Sequence, residues 1–265
     1  MQCGAAVATT LFDEVGAVGT VMVRLGFAAL VLVVIWRPGL AGLRGPQARD
    51  VLLFGVSLAA MNTSFYLALD RIPLGIAVTL EFVGPLGVAF AAGRSRLDLL
   101  WAALAAAGIL LLSPLPGSDF DLVGVGLALL AGAFWAAYIL LSTRVGRDFA
   151  GGGGLALAMV VAAVLVLPAG AIEGGDGLLA PGLLAVGFAV AVLSSAIPYS
   201  LELEALRRLP QATFGVLMSL EPAVAAAVGY VGLDQGLAVN EAIAIALVVA
   251  ASVGALRTAP PPTEA

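Results

Sequence analysis

The segment ALDRIPLGIAVTLEFVGPLGVAF, residues 68–90, sets one carboxylate, Glu81, in an otherwise apolar run after Pro73 and follows it four residues later with Pro85. Shifting the chain by 137 residues lays ALDRIP (68–73) on ALRRLP (205–210), Pro85 on Pro222 and Ser57 on Ser194, with no gap. Two prolines and an arginine in one register mark an internal repeat. The shift covers five apolar spans, an odd number, so the second copy enters the membrane from the other side, with Arg71 outside and Arg208 inside. Inverted-topology repeats characterise secondary transporters, whose substrate site lies near the bilayer midplane between the halves. Duplication within a structural membrane protein is the alternative reading of the same repeat.

Composition agrees with a membrane setting. The 265 residues are 62% hydrophobic and 11% charged, with a mean hydropathy of +1.10; soluble domains are about 25% charged and 45–50% apolar. No soluble fold of this size could hide so many apolar side chains. A span needs about 20 residues to cross about 30 Å. Nine are expected, at 17–36, 51–69, 74–93, 97–114, 122–142, 154–171, 182–203, 211–231 and 237–256. The opening MQCGAAVATTLF, residues 1–12, is too short to span before Asp13 and Glu14. It reads as the end of a truncated first helix, without the charged region or cleavage site of a signal peptide. The tail TAPPPTEA is expected to be disordered. The fold class is therefore an all-α membrane protein with nine full spans plus a stub.

Arginines set the orientation. Loops with Arg37, Arg44 and Arg49, with Arg94 and Arg96, with Arg144 and Arg147, and with Arg207 and Arg208, then the tail with Arg257, alternate with acidic or neutral loops. By the positive-inside rule the carboxy terminus is cytoplasmic. All 12 basic residues are Arg and there is no His, so the commonest zinc ligand and general base is missing. Cys3 has no partner for a disulfide. A net charge of -5 argues against a nucleic-acid partner. GGGG at 151–154 lacks the GK[ST] of a phosphate loop and reads as flexible chain. No enzyme, metal or cofactor is expected.

The buried polar groups carry the functional reading. Glu81 lies about 12 Å in from Pro73, and Glu221 about 16 Å in from Pro210, from opposite sides. Arg24 and Asn62 lie at similar depth; Glu202 is nearer the cytoplasm, with Tyr199 one turn deeper. An ionised side chain at the helix centre costs about 2.5–3.5 kcal/mol, so these groups face one another or water. Proline removes the hydrogen bond to the carbonyl four residues back: Pro85 frees that of Glu81, Pro198 that of Ser194 and Pro222 that of Met218. Opened helices survive at membrane depth only beside protein or a wet cavity, and a cavity bounded by the spans of Asn62, Glu81, Tyr199 and Glu221 is the simplest reading. Gly75, Gly84, Gly87, Gly132 and Gly229 would let helices approach. A structural ion pair of Arg24 with a glutamate is the alternative.

MNTSFYLALDRIPLGIAVTLEFVGPLGVAF, GAFWAAYIL, SSAIPYSLELEALRRLPQATFGVLMSLEPA and the early VRLGFAAL together resemble the threonine/homoserine exporter branch of the drug/metabolite transporter superfamily, the EamA-type carriers. The resemblance covers nearly the whole chain. It implies inverted five-plus-five helix repeats, here 1–116 and 117–257 followed by the tail 258–265, and export of small amino acids across the inner membrane in exchange for protons. It also implies that Arg24, Asn62, Tyr66, Glu81, Trp135, Tyr138, Tyr199, Glu202 and Glu221 line or support the substrate cavity. Glu204 stands where the branch has an apolar residue. On this reading Arg24 holds a zwitterion's carboxylate, and Glu81 or Glu221 its ammonium or a coupling proton. The partners implied are an amino acid or similar metabolite, the proton and lipid; monomer and homodimer are both compatible. A passive channel and a non-transporting structural membrane protein are the other classes left open.

Overall fold

The computed structural model describes residues 1–39, 43–92, 96–111, 121–149, 151–208, 218 and 220–258. Its helices are α1 (Gln2–Thr9), α2 (Phe12–Trp36), α3 (Pro46–Leu69), α4 (Leu74–Glu81), α5 (Val83–Ala92), α6 (Arg96–Leu111), α7 (Leu122–Asp148), α8 (Gly153–Gly174), α9 (Pro181–Ala191), α10 (Ile197–Arg208), α11 (Glu221–Gly232) and α12 (Val239–Thr258). A 3₁₀ turn (Gly175–Leu179) follows α8, and a π-helical turn (Val192–Ala196) joins α9 to α10. Among the described residues five stretches are long and apolar enough to cross a membrane: Phe12–Trp36, Pro46–Leu69, Leu122–Asp148, Gly153–Leu179 and Pro181–Glu202. Leu74–Val88 and Val239–Gly254 are shorter apolar helices. Large apolar side chains such as Leu30, Val34, Leu52, Val164, Leu167 and Phe188 point outward, where a bilayer would meet them.

Pro85, Pro198 and Pro222 lie in the first turns of helices rather than in their interiors. The span expected at 74–93 is interrupted at Phe82, and Pro85 sits in the first turn of α5. Pro198 is the second residue of α10, and Pro222 the second of α11. A missing N–H costs nothing in a first turn, where it would have no partner. The span expected at 211–231 is described only from Leu220, apart from Met218; 211–217 and 219 lie outside the described residues, as do 259–265 and the side chain of Glu204.

The first expected span begins earlier than its apolar run, because Asp13 and Glu14 form a helical turn ahead of a kink. At the kink Gly16 has φ 71° and ψ 174°, a conformation essentially reserved for glycine. The Glu173 carboxylate from α8 fills the place a Cβ would take on Gly16 and accepts a hydrogen bond from the Gly19 N–H at 2.8 Å. It caps the restarted helix from outside.

Packing brings distant parts of the chain together. α2 runs along α8, α3 along α7 and α8, and α6 along α12; α4 meets α11, α4 and α5 meet α7, and α1 lies on α9 and α11. Leu25, Leu32, Leu58, Leu74, Ile76 and Met159 form fully buried centres of the core. Among the described residues several crossings are close enough to need glycine, and two of them involve α4. A Cβ on Gly75 would stand 2.8 Å from the Ala226 Cα, and one on Gly132 would stand 2.5 Å from the Glu81 carbonyl oxygen. Gly87, expected at a helix contact, instead has nothing within 4 Å of its Cβ position and borders an open apolar groove between α5 and α7.

Among the polar ties of the described residues at one face, where α3, α8 and α11 end and α2, α4 and α7 begin, three are short. Arg71 donates to Asp121 at 2.8 Å, Gln235 Oε1 accepts from the Leu74 N–H at 3.0 Å, and Glu173 accepts from Gly19. Asp121 also caps α7, accepting from the Val123 and Gly124 amides at 2.8 and 3.1 Å. The Arg71 hydrogen bond, with help from these amides, holds the Asp121 carboxyl below its ordinary value.

Candidate functional site

A cavity of about 60 Å³ lies in the middle of the bundle, room for on the order of four waters. Arg24, Asn62, Glu81, Trp135, Tyr199, Glu202 and Glu221 line it, joined by Met61, Phe65, Ser194, Met218 and the start of α1. These residues come from both ends of the sequence. Arg24 is the thirteenth residue of the 25-residue α2, near the centre of a rod about 37 Å long.

Arg24 is 6% exposed and reaches the π-helical turn. Its Nε donates to the Ser195 Oγ at 2.8 Å, and its Nη2 to the Ser194 carbonyl at 3.2 Å. That carbonyl is free because Pro198, four residues on, has no N–H to offer. The widened turn before the proline turns two consecutive polar groups toward one guanidinium. Behind them the Tyr66 ring faces the guanidinium, with Cζ 5.1 Å from the ring centroid, a cation–π contact. Among the described residues no ion pair within 4.0 Å joins Arg24 to Glu81, Glu202 or Glu221; the pairs present are Arg49–Asp50 and Arg71–Asp121.

The carboxylates face the same space from other elements. Glu81 ends α4, and Glu221 lies in the first turn of α11, where the positive end of a helix dipole meets it. Asn62 donates its Nδ2 to the Leu58 carbonyl at 2.8 Å, which leaves its Oδ1 as an acceptor. The freed Glu81 carbonyl, expected in the cavity, lies against the backbone of α7 at Gly132. Its carboxylate alone serves the cavity, because the α4–α7 crossing is too close to leave the oxygen exposed.

Tyr66 and Tyr138 stand one layer back. Tyr66 is 0% exposed and packs on Phe12 and Phe65 as well as Arg24. Tyr138 lies between Phe54 and Tyr199, with ring centroids 5.1 and 6.0 Å away. They hold the wall rather than form it. Ser195 was not among the expected residues; its only signal was the SSAIP sequence, a polar pair just ahead of a proline. The Ser194 hydroxyl, 1% exposed, has no hydrogen-bond partner.

Residues 122–257 match the EamA-like transporter family. The chain is 44% identical to the threonine/homoserine exporter RhtA of Salmonella typhimurium LT2, over 97% of this chain and 88% of that protein. It is 43% identical, over the same shares, to RhtA of Escherichia coli K12. A solved structure titled only as the crystal structure of a protein superimposes with a TM-score of 0.68 at 19% identity, covering 97% of this chain and 94% of the other. That likeness speaks for the fold alone.

Proposed function

The chain belongs to the EamA-like transporter family, and on that premise we propose that it exports small amino acids of the threonine and homoserine kind, in antiport with protons. It is a multi-pass membrane transporter, and we place it in the inner membrane with its carboxy terminus in the cytoplasm. The observation that carries the reading is the central cavity, where one arginine and three glutamates face a common space without pairing. A zwitterion would complete it. The Arg24 guanidinium suits the carboxylate, and Glu81 or Glu221, with the Asn62 oxygen, suits the ammonium. Ammonium and proton then compete for one carboxylate, so that proton binding releases the substrate and proton loss readies the site again.

Alternating access would come from two inverted halves, 1–116 and 117–257. The pairing of α2 with α8, of α4 with α11 and of α6 with α12 supports this, since each pair joins spans that correspond under the 137-residue shift. On this view nine spans, with α1 beside them, make up the two halves.

The test is Glu81→Gln in proteoliposomes. Exchange of labelled threonine across the membrane is expected to persist, while accumulation driven by a pH gradient is lost. Proton-driven transport that continues unchanged in an inserted protein removes Glu81 from coupling. Absence of trans-stimulated exchange in the wild type would replace the carrier with a channel.

A further inference from the structure

We propose that the π-helical turn and Arg24 together form a subsite for a carboxylate, in which the Ser194 hydroxyl binds the ligand and Ser195 positions the guanidinium. The proposal rests on the amino-acid reading above and says how one end of the substrate is held.

The geometry of Arg24 comes first. A guanidinium has five N–H donors in a fixed plane. The Ser195 Oγ takes the Nε donor and the Ser194 carbonyl takes one on Nη2, while the Tyr66 ring covers the guanidinium. The donors on Nη1 and the second on Nη2 are left. A side chain anchored at Nε and Nη2 cannot swing, so the remaining edge is presented in one orientation. A planar, two-oxygen anion is the acceptor that matches such an edge.

A second, independent observation points to the same ligand. Ser194 is 1% exposed and is among the residues that line the cavity, and its buried hydroxyl has no hydrogen-bond partner. Native proteins rarely leave a buried hydroxyl unsatisfied, and when they do the group calls for an explanation. Here it lies on the same turn whose carbonyl holds Arg24, next to Gly4 of α1, where any Cβ would overlap the Ser194 Oγ. Glycine leaves the room in which that oxygen sits.

The rest of the wall fixes which end of a zwitterion comes here. Glu81, Glu202 and Glu221 line the rest of the wall and, when ionised, would repel a carboxylate. The anion is therefore directed to the Arg24 and Ser194 side, and the ammonium to the glutamates. Recognition then requires a free carboxylate, so an amine that lacks it would lose this subsite while keeping the other.

Counterflow of labelled threonine in proteoliposomes, for wild type, Ser194→Ala, Ser195→Ala and Ser195→Thr, tests the assignment. Unlabelled threonine and 1-amino-2-propanol, which keeps the amine and hydroxyl but has no carboxylate, serve as competitors. Ser194→Ala is expected to raise KM for threonine roughly tenfold or more, the scale of a hydrogen bond to a charged group, with Vmax within about twofold and inhibition by 1-amino-2-propanol unchanged. Its Tm without ligand should equal or exceed that of the wild type, because no hydrogen bond is lost. Ser195→Ala should raise KM similarly, and Ser195→Thr, which restores the hydroxyl, should recover most of it. An unchanged KM for Ser194→Ala, or equal weakening of threonine and 1-amino-2-propanol, overturns the subsite and leaves the exporter reading standing. A wild type that handles neither threonine nor homoserine overturns both.

Discussion

Gly132→Ala probes the crossing on which the cavity's geometry depends. A methyl at this position of α7 would lie 2.5 Å from the Glu81 oxygen, 3.2 Å from its carbonyl carbon and 3.3 Å from its Cα. All three are backbone atoms, so no side chain can rotate away. Reaching ordinary contact at 3.4 Å requires the helices to part by about 0.9 Å. Overpacking of this kind costs about 1–3 kcal/mol, against a gain of about 1 kcal/mol from replacing glycine in a helix. Gly126→Ala, on the same helix with nothing within 4 Å, shares the gain and lacks the clash. The difference between the two variants therefore isolates the crossing. At about 2–4 °C per kcal/mol for a chain of this size, Gly132→Ala should melt about 2–12 °C below Gly126→Ala. Thermal unfolding in nanodiscs, followed by intrinsic fluorescence, reads the difference. Because the clash falls on the backbone of Glu81, threonine exchange should drop with it. Equal Tm values for the two variants would refute the close approach of α4 and α7.

Two further outcomes concern the polar face. The Asp121 carboxyl is held below its ordinary value, chiefly by Arg71; its contribution is complete above the unfolded value near 3.9 and is lost as pH falls through the lower folded value. Asp121→Asn should therefore lower Tm at neutral pH and flatten the fall in Tm between about pH 4 and 2, which melting curves across that range would register. Glu173→Ala removes the acceptor for Gly19 and should cost about 1 kcal/mol, whereas Glu173→Gln keeps an oxygen there and should cost less. Equal losses for the two, measured by denaturation in nanodiscs, would show that the carboxylate does not act as a cap.

Depth along the helices was legible in the sequence, because it needs only the 1.5 Å rise per residue. Six residues that line the cavity, Arg24, Asn62, Glu81, Tyr199, Glu202 and Glu221, are placed by depth, and Trp135 by the resemblance alone. Rotation about the axis was not legible. A helix that is apolar on every side carries no stripe to orient it, so Tyr66 and Tyr138 could not be told from wall residues. The carbonyl freed by Pro198 was visible from spacing alone, but its partner lies 170 residues away. Chain distance of that order hides Ser195 as well. Spacing from Pro85 names a carbonyl but not what covers it: the Glu81 oxygen lies against α7. What decides this is the absence of a side chain at Gly132, a feature of a neighbouring helix.

The ties Arg71–Asp121, Glu173–Gly19 and Gln235–Leu74 each join the first 116 residues to the rest, and all three lie at the same end of the bundle. A rearrangement that pulled the two parts away from each other at that end would have to break all three together. A rearrangement that spread them at the opposite end could swing about these contacts and keep every one. The three ties thus act as a fulcrum for one direction of movement and as a lock against the other.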